Sequence, residues 1–325
     1  MRAVWYEGFG PADEVLVTGD LPDPEPGPGE VLVRLKASGV NPSDVKLRAG
    51  ARPGVTMAWP KIVPHSDGAG VIEAVGAGVD VARIGQRVWI WNGQWQRAFG
   101  TAAELIALPT EQAVPLPEGT SFADGACLGI PAMTAWFAVF GDGPVEGKTV
   151  LVTGGAGTVG RYACQMALLG GARVIATVSS EEKANHSTAS EWVNYREANV
   201  AETVAEVTGG AGVDRIVEVD FAANQAASLA LIKPGGTIAA YASASDVRPA
   251  LDFYPFMFKN TVLRMLIVYL LDAQTRRRGE DQLTRWLAEG ALSHAVVPGG
   301  GLAYAAAAHR RVEAGDKLGT VVLDI

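Results

Sequence analysis

Residues 31–37, VLVRLKA, alternate with a period of two. Val31, Val33, Leu35 and Ala37 share one face, with Arg34 and Lys36 on the other. Such alternation marks a strand with one buried and one solvated face. Similar short strands are expected at 3–6, 15–18, 70–75, 87–91 and 101–108. The segment 20–30, DLPDPEPGPGE, carries four prolines and two glycines and reads as a rigid connection. Near residue 144 the pattern changes. KTVLVT (148–153) is apolar without alternation, as in a parallel strand covered on both faces. Strands expected at 173–178, 191–194, 214–219 and 237–241 then alternate with helices at 158–169, 181–190, 200–207 and 223–231. That order implies βαβ units and a parallel sheet with right-handed crossovers. A last helix (303–313) and strand (318–323) close the chain.

Composition narrows the class. A length of 325 residues suits two domains. Glycine supplies 39 residues, well above the usual share of about 7%. It shows no G-X-Y period, and a 48% hydrophobic content excludes disorder. The net charge is 27 − 35 = −8, and Arg276-Arg277-Arg278, read as a solvated helix start, is the one basic run, so nucleic acid is not an expected partner. Cys127 and Cys164 can build neither a disulfide framework nor a zinc cluster, and both are expected to be buried and inert. The start, MRAVWYEGFGP, has no apolar leader segment. The longest apolar stretches, 127–140 and 262–271, fall short of the ~20 residues that span a bilayer, and the second carries Arg264. A soluble, cytoplasmic protein without a membrane partner is expected.

The most informative stretch is VLVTGGAGTVGRYACQMA (150–167), a strand, a glycine turn and a helix. Gly155, Gly157 and Gly160 match GxGxxG, with Gly154 before them. The early glycines let the backbone approach a pyrophosphate, the third lets the helix pack on the strand, and the helix N-terminus offers free N–H groups. A second strand at the expected distance completes a dinucleotide-binding unit. An NAD site commonly carries an acid at the end of that strand, bonding the ribose 2′-hydroxyl. Here the strand ends in Val178-Ser179-Ser180, with Lys183 close by. This favours NADPH, although the serines read also as a helix N-cap; Glu181 and Glu182 suit a helix start.

The order of motifs resembles the zinc-independent quinone oxidoreductases of the medium-chain dehydrogenase/reductase superfamily, the zeta-crystallin-like group. The resemblance rests on AVWYEGFGPADEVL (3–16), ASGVNPSDVKLRAG (37–50), HSDGAGVIEAVGAGV (65–79), GQRV (85–88), GIPAMTAW (129–136), the glycine loop, VNYRE (193–197), KPGGTI (233–238) and LGTVVL (318–323). It implies an α/β fold in which a Rossmann doubly wound parallel sheet is inserted in a GroES-like, mainly β catalytic domain. The expected bounds are 1–124 and 266–325 for the catalytic domain and 125–265 for the NADP-binding domain. It further implies a homodimer and NADPH-dependent reduction of a quinone or enone in a cleft between the domains. Where zinc-dependent relatives carry ligands, this chain has Asn41, Ser66 and Pro131, so no metal is expected.

By the same resemblance, Asn41 and Thr134 lie by the nicotinamide, and Gly154, Gly155, Ala156, Gly157, Thr158, Val159 and Gly160 hold the phosphates. Ser179, Ser180, Lys183 and Tyr195 surround the 2′-phosphate. Tyr241, Ala242 and Ser243 line the nicotinamide ribose, and Leu266, Ile267 and Val268 face the carboxamide. Asn41 and Lys46 are the candidates for polarising a carbonyl oxygen, though Asn41 reads equally as a turn residue before Pro42 and Lys46 as a solvated lysine. Lys46 and Arg52 replace tyrosines common in the family. His65 beside Asp67 reads as a structural hydrogen bond, not a triad. Trp59, Trp89, Trp91 and Trp95 read as aromatic walls for a flat substrate, as ordinary core or as a dimer contact. Alternative functions are a 2-alkenal or enone C=C reductase and an NADPH-binding protein with little turnover.

Overall fold

Val31, Val33, Leu35 and Ala37 are each at most 1% exposed in strand Glu30–Val40, while Lys36 is exposed and Arg34 pairs at the surface with Glu73. In the computed structural model, which describes residues 1–51, 54–315 and 317–325, this strand lies inside a seven-stranded sheet. Across the sheet run Val296–Gly301, Thr320–Asp324, Glu30–Val40, Asp67–Val75, Arg87–Ile90 and Ala113–Pro115, with Leu105–Pro109 also paired to Glu30–Val40. Neighbours are antiparallel except Val296–Gly301, which runs parallel to Thr320–Asp324. One apolar cluster gathers Val33, Leu35, Ile72, Val88, Ile90 and Ile106. Another joins Val40, Val45, Val321 and Leu323 to Ala308 and Val312 of helix Ala305–Ala314. Fully burying such aliphatic side chains is worth about 1.5–3 kcal/mol each. These elements belong to one compact unit, Met1–Ile130 with Glu280–Ile325.

The second unit, Pro131–Gly279, is built on six parallel strands: β1 (Thr149–Val152), β2 (Arg173–Val178), β3 (Glu191–Asn194), β4 (Val213–Glu218), β5 (Ile232–Ala240) and β6 (Val262–Met265). Their spatial order is 3-2-1-4-5-6. Val150 to Val152 and Val174 to Val178 are buried without a break, as expected for strands with helices on both faces. The strand order reverses between β1 and β4, and ligands of open α/β sheets bind beyond the strand ends at such a point.

Several elements differ from their sequence expectation. The second unit runs on to Gly279 and begins at Pro131, later than the expected bounds at both ends. Strand β6 completes the parallel sheet, and the helical turn Val268–Leu270 packs against helix Met133–Phe140, which keeps 266–279 with this unit. The strand expected at 15–18 is preceded by a short helix, Ala12–Val15, started by Pro11, and begins only at Val17. The helix from Glu181 ends at Ser187 because Thr188 turns left-handed at φ 66°. Residues 101–104 form no strand; the strand there is Leu105–Pro109.

The arginine run is a solvated helix start at Arg277 and Arg278, which are exposed, but not at Arg276. Consecutive helical residues point about 100° apart, so one of three faces inward. Arg276 is 4% exposed and donates to the Val268 carbonyl, and the Arg278 guanidinium lies 5.9 Å from the Trp136 ring centre.

Candidate cofactor and active site

Strand β1 delivers the chain to Gly154, whose φ of 65° lies in the left-handed region that favours glycine. The loop is then tied to β2: Gly154 N donates to Thr177 Oγ1 and Gly155 N to the Thr177 carbonyl, both at 3.0 Å. Helix Thr158–Leu169 starts at Gly157, which has no side chain to cap it. At Gly160 a Cβ would stand 2.2 Å from the Gly154 carbonyl oxygen, so loop and helix close on each other only with glycine there. Ala156 is buried, Gly157 exposed, and Thr158 and Val159 half-buried. A bare helix N-terminus behind a glycine turn is what a pyrophosphate requires, and these residues fit one.

At the end of β2, Ser179 is buried and Ser180 caps the next helix, accepting from Lys183 N at 3.3 Å. Ser180 therefore fills the N-cap role that its sequence position allowed. Glu181 and Glu182 are exposed in the first helical turn, and no acid stands at the strand end itself. Tyr195 is half-exposed, with its N–H on the Val178 carbonyl.

Two cavities open at the strand ends. A larger one of about 560 Å³ is walled by Thr153 and Gly154 after β1, Thr177 of β2, Tyr195 after β3, and Val219 and Asp220 after β4. A second of about 380 Å³ lies at the ends of β5 and β6 and brings together Tyr241, Ala242, Ser243, Leu266 and Ile267. Val268 is buried next to it, and Thr134 is buried in helix Met133–Phe140.

Sequence reading passed over Glu218. It is wholly buried at the end of β4 and accepts from Thr153 Oγ1 (3.0 Å), Asp220 N (2.6 Å) and Asn224 Nδ2 (2.8 Å). It thus ties β1, β4 and helix Phe221–Leu231 together beside the larger cavity. Burial pushes its carboxyl pKa up, against the pull of those hydrogen bonds. The available signal was an acid within the apolar run IVEV (216–219).

In the first unit, Asn41 sits at the N-cap of helix Pro42–Arg48, with its N–H on Asp44 Oδ2 at 2.8 Å. It is 3% exposed, and its Nδ2 donates to Asp67 Oδ2 at 2.8 Å. Lys46 is exposed on the same helix; Arg52 lies outside the described residues. His65 does not bond Asp67. Its partners are Ser38 and His309, because its φ of 76° takes it out of the strand alternation that would align i with i+2. Trp89 is core, and Trp59, Trp91 and Trp95 are half-buried. Cys127 and Cys164 are buried free thiols, each pushed up to about 12 by desolvation. Among the described residues, no three His, Cys, Asp or Glu side chains are grouped to hold a metal.

Comparison with known proteins bears on both units. Residues 27–118 match the model of the alcohol dehydrogenase GroES-like domain, and residues 158–288 match that of the zinc-binding dehydrogenase family. A quinone oxidoreductase of Rattus norvegicus is 34% identical, covering 73% of this chain and 72% of that protein. A 2-haloacrylate reductase of a Burkholderia species is 30% identical over 99% of this chain and 98% of its own. Among solved structures, one described as an NAD-dependent alcohol dehydrogenase superposes with a TM-score of 0.89 at 33% identity, and a mycobacterial protein complexed with NADPH does so at 0.87 and 31%; both cover the whole of each chain. With both halves matched in order and curated relatives at 30–34% identity, the chain belongs to the zinc-independent quinone oxidoreductase-like family of the medium-chain dehydrogenase/reductase superfamily and is an oxidoreductase of that family.

Proposed function

We propose that the protein is an NADPH-dependent, metal-independent oxidoreductase that passes a hydride to a quinone or a related activated acceptor. One observation carries the cofactor assignment: the glycine cradle is followed by a β2 end with Ser179, Ser180 and Lys183 and no acid to repel a 2′-phosphate. Tyr195 completes that surface. Tyr241 to Ser243 and Leu266 to Val268 serve the nicotinamide end, with Thr134. The NADPH-bound mycobacterial relative supports this reading, whereas the NAD-dependent alcohol dehydrogenase makes cofactor choice the first measurement. NADPH is expected to exceed NADH at least tenfold in kcat/KM. Equal efficiency overturns the assignment.

Bound NADPH supplies the hydride; the protein's own task is to position the acceptor and stabilise the developing oxyanion. We assign the donor role to Asn41, whose amide is held in place, and a supporting cationic role to Lys46. Lys46→Met is expected to lower kcat while leaving the NADPH Kd unchanged; an unaltered kcat removes Lys46 from the reaction. The acceptor is read as a quinone from the quinone oxidoreductase relatives. The 2-haloacrylate reductase favours an activated C=C bond as the second reading. NADPH oxidation across a quinone and enone panel decides between them, and cofactor binding without turnover on any acceptor would make this a binding protein.

A homodimer is part of the proposal. Strand β6 is the last in its sheet, with Val262 and Met265 exposed, and the helix before it, Phe253–Phe258, exposes Phe253, Tyr254 and Phe258. An open edge beside so much apolar surface suits pairing with a second copy. A reducing cytoplasmic location accords with the two free thiols, and no helix among the described residues is long and apolar enough to cross a membrane.

A further inference from the structure

Five buried polar groups of the first unit form one hydrogen-bonded chain. Thr101 Oγ1 donates to the Asp67 carbonyl at 2.6 Å, Ser38 Oγ lies 2.9 Å from Thr101 Oγ1 and 2.9 Å from His65 Nδ1, and His65 Nε2 lies 2.8 Å from His309 Nε2. Ser38, His65, Thr101 and His309 are all fully buried. The two imidazole rings stack at 5.1 Å with 27° between their planes.

Proton counting gives the chain a direction. A hydroxyl has one hydrogen. That of Thr101 goes to the Asp67 carbonyl, so Ser38 must donate to Thr101. Ser38 then has no hydrogen left for His65, and His65 Nδ1 must carry the proton and donate to Ser38. In a neutral imidazole the other nitrogen is then an acceptor, so His65 Nε2 accepts from a protonated His309 Nε2. Both rings are held neutral: burial, with the neighbouring imidazole, lowers the pKa of His65, and burial, with Arg48 nearby, lowers that of His309 to about 3.

The chain ends on Asp67, which is held from both sides. Its carbonyl takes Thr101, and its carboxylate oxygen Oδ2 takes Asn41 Nδ2 at 2.8 Å and the Ile130 N–H at 3.0 Å. The carboxylate also decides which end of the Asn41 amide faces it, since only the NH₂ group can donate. No space exists for slippage on that side: a Cβ at Gly129 would stand 2.3 Å from Asp67 Oδ1. The backbone at His65 is left-handed, unfavourable for a residue with a Cβ, where its ring meets that of His309.

We propose that His309, His65, Ser38 and Thr101 are a directional hydrogen-bond relay that fixes Asp67 and, through it, the orientation of the Asn41 amide, making His309 a positioning residue for turnover. The proposal rests on the donor role given to Asn41 above. His309 touches no substrate or cofactor; it acts only through the relay.

Two measurements test it. Long-range ¹H–¹⁵N spectra of the histidine-labelled protein should show His309 protonated at Nε2 and His65 at Nδ1, with neither titrating between pH 5.5 and 8. The opposite tautomers, or titration of either ring in that range, overturns the relay. Kinetically, with NADPH saturating, His309→Leu should cost at least tenfold in kcat while the NADPH Kd stays within twofold. His309→Gln, which can still donate at the Nε2 position, should recover most of that loss and keeps the test open if the leucine variant folds poorly. In an Asn41→Ala background, His309→Leu should change kcat by less than twofold. Losses that multiply in the double variant refute the relay alone. A wild-type kcat for Asn41→Ala refutes the role of Asn41, and with it the relay's effect on turnover, while the tautomer measurement still reports the chain itself.

Discussion

The proposed cofactor site assigns Gly160 and Lys183 opposite means of action, one by lacking atoms and one by carrying charge. Gly160→Ala would drive a methyl group to 2.2 Å from the Gly154 carbonyl, against backbone that cannot swing aside. Overpacking of this kind costs about 1–3 kcal/mol. The loop would open, and a tenfold or larger rise in NADPH Kd is expected by fluorescence titration, together with a fall in Tm of several degrees. An unchanged Kd would mean that the phosphates do not use this turn. Lys183→Ala leaves the loop intact and removes a cation from the β2 end. A hydrogen bond to a charged group is worth about 1.5–3 kcal/mol, so the NADPH KM should rise about tenfold while that for NADH stays level. Equal rises for both cofactors would take Lys183 away from the 2′-phosphate. Both assignments rest on local signals in the sequence, a spacing of glycines and a strand end without an acid, and the tight turn at Gly160 is the part the structure bears out. Glu218 was not visible in the same way, since its partners Thr153 and Asn224 come from other elements.

Elements with strong periodicity were read to the residue. Helices Thr158–Leu169 and Val200–Val207 occupy the expected ranges, because a glycine turn starts the first and Asn199 caps the second with its side chain on Ala201 N and Glu202 N. Helix Ala305–Ala314 shows what pattern cannot supply. The helix itself was legible over 303–313, but nothing local shows that His309 meets a residue 244 positions earlier. His65 was instead matched to its sequence neighbour Asp67, a pairing that requires a regular strand which the backbone at His65 does not adopt. That meeting of helix and turn has a consequence for pH. Each histidine has a folded-state pKa lowered below the unfolded value of about 6.5. The unfolded chain therefore binds more protons below pH 6.5, and stability falls as the pH drops from there toward 3. The loss due to His309 alone is on the order of 3 kcal/mol by pH 4. Arg48, paired with Glu313, faces the same ring and opposes its protonation. Urea midpoints measured at pH 7.5 and 4.5 should differ more for the wild type than for His309→Gln. Parallel slopes for the two proteins would show that carboxylates elsewhere cause the acid loss.

At the scale of the whole molecule, the division into an all-parallel sheet unit and a mixed-sheet unit was legible from the change of grammar near residue 144. The bounds were not: β6 adds itself to the parallel sheet through backbone hydrogen bonds that carry no side-chain signature. The same strand carries the proposed homodimer contact. In its apolar run, 262–271, Val262, Met265 and Leu270 are exposed, and Phe258 just before them is 82% exposed. Monomeric proteins seldom leave such a patch open, and among the described residues β6 ends its sheet, a place where a strand offers backbone groups for pairing. Charge placed in the patch, away from the cavity walls, should separate two copies without touching the cofactor site. Phe258→Asp is therefore expected to convert a dimer to a monomer in sedimentation velocity at micromolar concentration. Burying a carboxylate there would cost several kcal/mol unless the copies part. The native sheet of the separated chain needs no partner, since β6 already pairs with β5, so the variant should keep its far-ultraviolet circular dichroism. A wild-type protein that sediments as a monomer, or a variant that stays dimeric, would move the interface elsewhere or remove it.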